Sequence, residues 1–158
     1  MLLSRASQYT LQALIYLARQ PPDQMIMVKE IAEALELPEF FLGKLIQAPV
    51  RAGWLASARG HGGGIKLIAD AANITLLDIL QLTDGLRVTR ECLLGLKACE
   101  DETACVMHCQ WQPIKQELAE GLCSYTLAAL ASADFPAVLR TESGSLSLSL
   151  PTSRPGSG

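Results

Sequence analysis

The sequence predicts a mainly α fold with a small β-hairpin, arranged as a winged helix-turn-helix followed by a long helix. Three observations carry this reading. Two short helical patterns are separated by a tight Glu36-Leu37-Pro38 connection, and the second pattern runs into Gly53. A glycine run, Gly60-His61-Gly62-Gly63-Gly64, then separates two strand-like stretches. Much later, Trp111, Ile114, Leu118 and Leu122 recur along one helical stripe.

Taken in order, Ser4 to Gln20 reads as a helix, with Ala6, Tyr9, Ala13, Leu14 and Leu17 at helical spacing and Pro21-Pro22 as its stop. Val28 to Leu35 is a short second helix with Ile31, Ala32 and Leu35 inward. Glu39 to Ala52 is a third, begun after Pro38 and ended before Gly53. Gly43 and Pro49 lie inside it; interior proline costs about 3 kcal/mol, so Pro49 should bend or end this helix near Ala48. Trp54 to Arg59 and Ile65 to Ile68 are strand candidates on either side of the glycine run. Thr75 to Leu82 is a fourth helix, with Thr75 and Asp78 spaced as a capping box. A cysteine-containing loop follows, then a long helix from about Gln110 to Cys123 and a further turn or two from Thr126 to Ala131. Beyond Thr141 the chain is Ser, Pro, Gly and Leu without period, which reads as a disordered tail. The expected layout is a DNA-binding domain over 1–83, a ligand loop over 84–109, a long-helix region over 110–140 and a tail over 141–158.

At 158 residues, 49% of them apolar, the chain can bury a real core. No apolar run has the length of a membrane span, and Arg5, Gln8, Gln12 and Arg19 interrupt the amino-terminal stretch. A cytoplasmic protein is expected. Net charge is −3, but it is unevenly distributed. From Phe40 to Ala69 there is no acidic residue, while Lys44, Arg51, Arg59 and Lys66 are present. Such a window is the footprint of a double-stranded-DNA surface on an otherwise acidic protein.

The second helix of a helix-turn-helix enters the major groove. Its leading face here carries Glu39, Phe40 and Lys44, with Phe41 expected in the core and Phe40 open between core and a thymine-methyl contact. Arg51 and Lys66 are placed to reach phosphates. The wing offers Arg59, His61 and Gly62 to a backbone or a minor groove.

Cys92, Cys99, Cys105 and His108 form the pattern C-x6-C-x5-C-x2-H. In a reducing compartment, clustered thiols are metal ligands or redox sensors more often than disulfides, and five cysteines suit a disulfide framework badly. Thiolate-rich sets select zinc, copper(I) or iron–sulfur clusters. The wide spacings suit a larger object than one tetrahedral ion, which favours a 2Fe–2S cluster with His108 as fourth ligand. Cys109 is a rival fourth ligand, and Cys123 is expected as a packed apolar residue. A zinc or thiol-disulfide switch and a small electron carrier are the alternatives. No nucleophile–base pair, phosphate loop or paired-carboxylate site stands out, so no catalysis is expected.

These residues together resemble the bacterial iron–sulfur-cluster regulator family of winged-helix repressors, the IscR- and NsrR-like proteins. The resemblance is carried by Tyr9 to Ala18, by Ala52-Gly53-Trp54-Leu55 running into the Arg59 to Gly64 wing, by Ile74 to Asp78, and by the three spaced cysteines. It covers about residues 1 to 131. It implies a homodimer in which the long helix crosses its mate, so that the fold is a winged helix-turn-helix plus a long dimerisation helix. It implies a cluster that tunes DNA affinity, held by Cys92, Cys99 and Cys105, with His108 matching the fourth ligand of the 2Fe–2S branch. Members with a 4Fe–4S cluster take an acid from the first helix, where this chain has Gln8. Two departures are the x6 spacing, one longer than common, and Gly43 and Pro49 in the recognition helix.

Overall fold

A computed structural model of the chain describes residues 3–60, 62–85, 89, 91–92, 94 and 105–133. Cys99, His61 and the tail from Thr141 lie outside them. Helix α1 (Arg5–Ala18) is the central element. Around it lie α2 (Val28–Ala34), α3 (Glu39–Leu45), α4 (Gln47–Arg51), the hairpin β1 (Leu55–Ala58) and β2 (Gly64–Leu67), a 3-10 turn (Ala71–Asn73), and α5 (Leu76–Asp84). Past the cysteine segment come α6 (His108–Ser124) and α7 (Leu127–Ser132).

The core is one cluster. Leu14 of α1, Ile31 of α2, Leu42 of α3, Ile79 of α5 and Leu127 of α7 meet in it, and all five are buried. Each fully buried aliphatic side chain contributes about 1.5–3 kcal/mol, so this cluster holds the helix-turn-helix to α1. Ser4 caps α1 by accepting from the Ser7 N–H at 3.1 Å. The Thr75–Asp78 box forms as expected: Thr75 Oγ1 accepts from the Asp78 N–H at 3.1 Å, and the Asp78 carboxylate accepts from the Thr75 N–H at 2.9 Å. Gly85, at φ 66°, ends α5 in the left-handed conformation.

The region expected as a single helix from Glu39 to Ala52 is two. Proline at position 49 has no N–H to give the Leu45 carbonyl. The helix is interrupted at Ile46, one turn before the proline rather than at Ala48. The hairpin is antiparallel, with Leu55 opposite Leu67 and Ala58 opposite Gly64. A third segment joins β2 near its loop end: the Ile26 N–H donates to the Ile65 carbonyl at 3.0 Å, and the Ile65 N–H donates to the Ile26 carbonyl at 2.8 Å. A second bridge, Thr75 with Thr126, ties the start of α5 to the start of α7.

Two apolar expectations differ from the structure. Phe41 is 38% exposed and packs edge-on against Tyr9, with ring centroids 5.9 Å apart, because Leu42 takes the inward position of α3. Cys123 is exposed on α6 rather than packed. Helix α6 is 17 residues long, yet only His108 and Lys115 on it are buried, and Ile114 stands 51% exposed.

Candidate functional site

The helix-turn-helix presents Glu39, Phe40 and Lys44 on the outer face of α3, all exposed. Phe40 is 78% exposed, which settles it as a surface residue. Lys44, one turn on, places Nζ 4.4 Å from the Phe40 ring centroid. That spacing is a cation–π contact, which holds the two side chains as one apolar-and-cationic unit at the leading end of the helix.

Between α3–α4 and the wing lies a cleft of about 420 Å³, and both Arg51 and Arg59 stand on its walls. Among the described residues that line it none is acidic. The fold thus places two arginines, eight positions apart in sequence, on one cleft at the boundary between recognition helix and wing. Gly62 is exposed at the wing tip, at φ 77°. Lys66 is placed differently. Its Nζ is 3.2 Å from the Asp23 carboxylate, on the far side of the hairpin, and a phosphate would have to compete with that partner. Asp23 is 97% exposed, so the pair is weak.

The cysteine segment begins just past α5. Cys92 is buried, and its Sγ lies 3.8 Å from Sγ of Cys105. A disulfide would need about 2.05 Å. Two thiolates on one tetrahedral metal atom, each at about 2.3 Å, would stand about 3.8 Å apart. The described thiol pair therefore has the separation of two ligands of a single metal atom. His108 opens α6 and is buried, with its N–H donating to the Cys105 carbonyl at 2.9 Å. Among the described residues no group of three ligating side chains converges. Cys109 is exposed.

Comparison with known proteins places this architecture. The family model described as Rrf2, an iron-dependent transcriptional regulator, matches residues 3–133. The chain belongs to the Rrf2 family. Among curated relatives, protein aau3 of Rhizobium meliloti (strain 1021) is 30% identical over 134 residues, covering 84% of this chain and 86% of the relative. The HTH-type transcriptional regulator IscR of Vibrio vulnificus (strain YJ016) is 27% identical over 132 residues, covering 84% and 78%. The solved structure of CymR, the global cysteine regulator of B. subtilis, is similar at a TM-score of 0.67 and 30% identity, covering 82% of this chain and 95% of that one. The chain is accordingly a transcriptional regulator of the Rrf2 type, similar to both IscR and CymR. Among the described residues no helix is long and apolar enough to cross a membrane.

Within this Rrf2 fold, contacts that the sequence did not signal tie the cysteine segment to its neighbours. Asp84, the last residue of α5, accepts from Ser4 Oγ and Ser7 Oγ, each at 2.6 Å, and from the Ser4 N–H at 3.2 Å. Ser7 is fully buried and also shares a hydrogen bond with Thr83. This clamps the start of α1 to the end of α5. On the other side, Trp111 Nε1 of α6 donates to the Glu91 carbonyl at 3.2 Å, next to Cys92. The partners are 80 and 20 positions apart, which is why local sequence patterns carry no sign of them.

Proposed function

We propose that this Rrf2 protein is a homodimeric DNA-binding regulator whose operator affinity is set by an iron–sulfur cluster held in the cysteine segment. The observation that supports this most directly is the 3.8 Å pair of Cys92 and Cys105, with His108 buried one residue-triplet further along the chain. Cys92, Cys99, Cys105 and His108 are the proposed ligands, and three thiolates with one imidazole favour 2Fe–2S over 4Fe–4S. When bound, the cluster supplies reversible one-electron chemistry and sensitivity to oxidants, nitric oxide or iron supply.

The chain's own residues carry the signal. The cysteine segment joins α5 to α6, and it is pinned near both ends, by Asp84 to α1 and by Glu91 to Trp111. A change in how Cys92 and Cys105 are held moves the first turn of α6. The largely exposed α6, with its stripe of Trp111, Ile114, Leu118 and Leu122, is the proposed dimer helix. Its angle sets the separation of the two recognition helices, which must match half-sites about one turn of DNA apart. Glu39, Phe40 and Lys44 read the major groove. Arg51, Arg59, His61, Gly62 and Lys66 contact the backbone or the minor groove. The working division is then a DNA-binding unit over 1–83, the ligand loop over 84–109, the dimer region over 110–140 and a tail over 141–158.

A second reading has a specific support. The two sulfurs need approach by less than 2 Å to form a disulfide, and the fold is similar to that of a cysteine regulator. In that reading the same thiols form a zinc or thiol-disulfide switch. One experiment separates the two as functions. Duplexes selected by the protein from random DNA are titrated with anaerobically purified protein, before and after iron chelation under reducing conditions. The cluster reading expects affinity to change between the two forms, and the coupling to be reciprocal, so that DNA shifts cluster retention by the same factor. Equal affinity before and after chelation contradicts it.

A further inference from the structure

We propose that Gly43 reads a thymine: its missing side chain leaves a hollow on α3 that takes the 5-methyl group of one thymine in each operator half-site. The inference rests on the reading of α3 as the groove-facing helix. It starts from a glycine for which the described fold has no use. Gly43 is the fifth of the seven residues of α3, and its φ is not positive, so it does not serve a left-handed turn. A Cβ built on it meets no atom of the described residues within 4 Å, so no neighbour among them requires its small size. Glycine inside a helix destabilises it relative to alanine. Position 43 therefore weakens α3 without a compensating contact among the described residues, which points to something outside the chain that needs the space.

The surroundings define what that something is. Gly43 is half-buried and stands between Phe40 and Ile46, three residues to either side on the helical surface. Phe40 is exposed and is held by Lys44, while Ile46 and Val50 line the neighbouring cleft together with Gly43. The hollow thus has apolar neighbours, and a glycine brings no side-chain donor or acceptor to it. Among the groups that base edges show in the major groove, the thymine methyl is the apolar one. Glu39 and Lys44, exposed on the same face, are left for the polar edges of adjacent bases. A side chain at position 43 would occupy the space of that methyl and hold α3 away from the bases.

Full-length, anaerobically purified protein first selects its duplex from random DNA, in whichever metal state binds more tightly. Each thymine of that duplex is then replaced in turn by deoxyuridine, which removes only the 5-methyl group. One position in each half-site should weaken binding about fourfold, the factor expected for one buried methyl. If deoxyuridine weakens binding nowhere, the proposal is overturned, and this arm needs no variant protein. Gly43→Ala puts a methyl group into the hollow. It should raise Tm by a few degrees and weaken binding to the thymine duplex about tenfold. At the sensitive position it should bind the deoxyuridine duplex more tightly than the thymine one, because only one of the two methyl groups fits. A folded Gly43→Ala that binds the thymine duplex as tightly as the parent, or that keeps the parent's preference for thymine there, overturns the proposal. Lys44→Ala separates that failure from failure of the underlying reading. If it weakens binding while Gly43→Ala does not, α3 reads DNA without a thymine hollow; if neither changes binding, α3 is not the reading helix.

Discussion

Gly64 is the position where a single methyl group should do most damage to the wing. It opens β2 at φ 148°, and a Cβ there would lie 2.5 Å from the Ile26 carbonyl oxygen and 2.6 Å from its carbon. Both are backbone atoms, so no side chain can rotate away. Relief requires β2 to retreat from Ile26, which breaks the two reciprocal hydrogen bonds between Ile26 and Ile65. Each is worth about 1 kcal/mol, and the strained backbone of a non-glycine residue adds about 1–3 kcal/mol. Gly64→Ala should therefore destabilise the protein by about 3–5 kcal/mol, a large share of a typical total of about 5–15 kcal/mol. Gly62 is the internal control. It sits at φ 77° with nothing within 4 Å of an added Cβ, so only the left-handed backbone penalty of about 1–2 kcal/mol applies. Urea unfolding of both variants measures the difference, with an unchanged slope showing that the comparison is of stability alone. If Gly64→Ala loses no more than Gly62→Ala, the wing is not held against Ile26 as described.

Three further outcomes are expected. Arg59→Ala should weaken binding to selected DNA and reduce the slope of log K against log salt by about 1; an unchanged slope removes Arg59 from the phosphate contacts. His108→Ala should lower iron retention on dialysis, whereas Cys109→Ala should not; the reverse pattern would make Cys109 the fourth ligand. Trp111→Phe deletes the Nε1 donor to Glu91 and should lower stability by about 1 kcal/mol. It should also shrink the difference in DNA affinity between metal-loaded and stripped protein, and a difference of undiminished size would show that this bond does not carry the coupling.

Much of the fold was legible because its signals are local. The Thr75–Asp78 box, Pro21-Pro22, Gly53 and the glycine run each act on neighbours a few residues away, and each marks a boundary that the structure keeps. The split of the recognition region was half legible. Pro49 announced a break, but the lost bond belongs to the Leu45 carbonyl, so the interruption falls a turn earlier. Side-chain environment was less accessible. Phe41 yields the core to the adjacent Leu42, and Cys123 lies in the half of α6 where no side chain is buried. The Asp84 clamp and the Lys66–Asp23 pair depend on contacts across 80 and 43 positions, and no periodicity encodes them. For the proposed thiol site, sequence spacing nominated the candidates. It could not show that Cys92 and Cys105 stand at a shared-ligand distance while His108 turns into the protein at the head of α6.

The most direct test of the cluster assignment is elemental and optical analysis of anaerobically purified protein. The account predicts coloured protein with visible absorption, iron and acid-labile sulfide in near-equal amounts, and loss of all three when Cys92 or Cys105 is replaced by Ala. Colourless protein carrying stoichiometric zinc, or no metal at all, would contradict it.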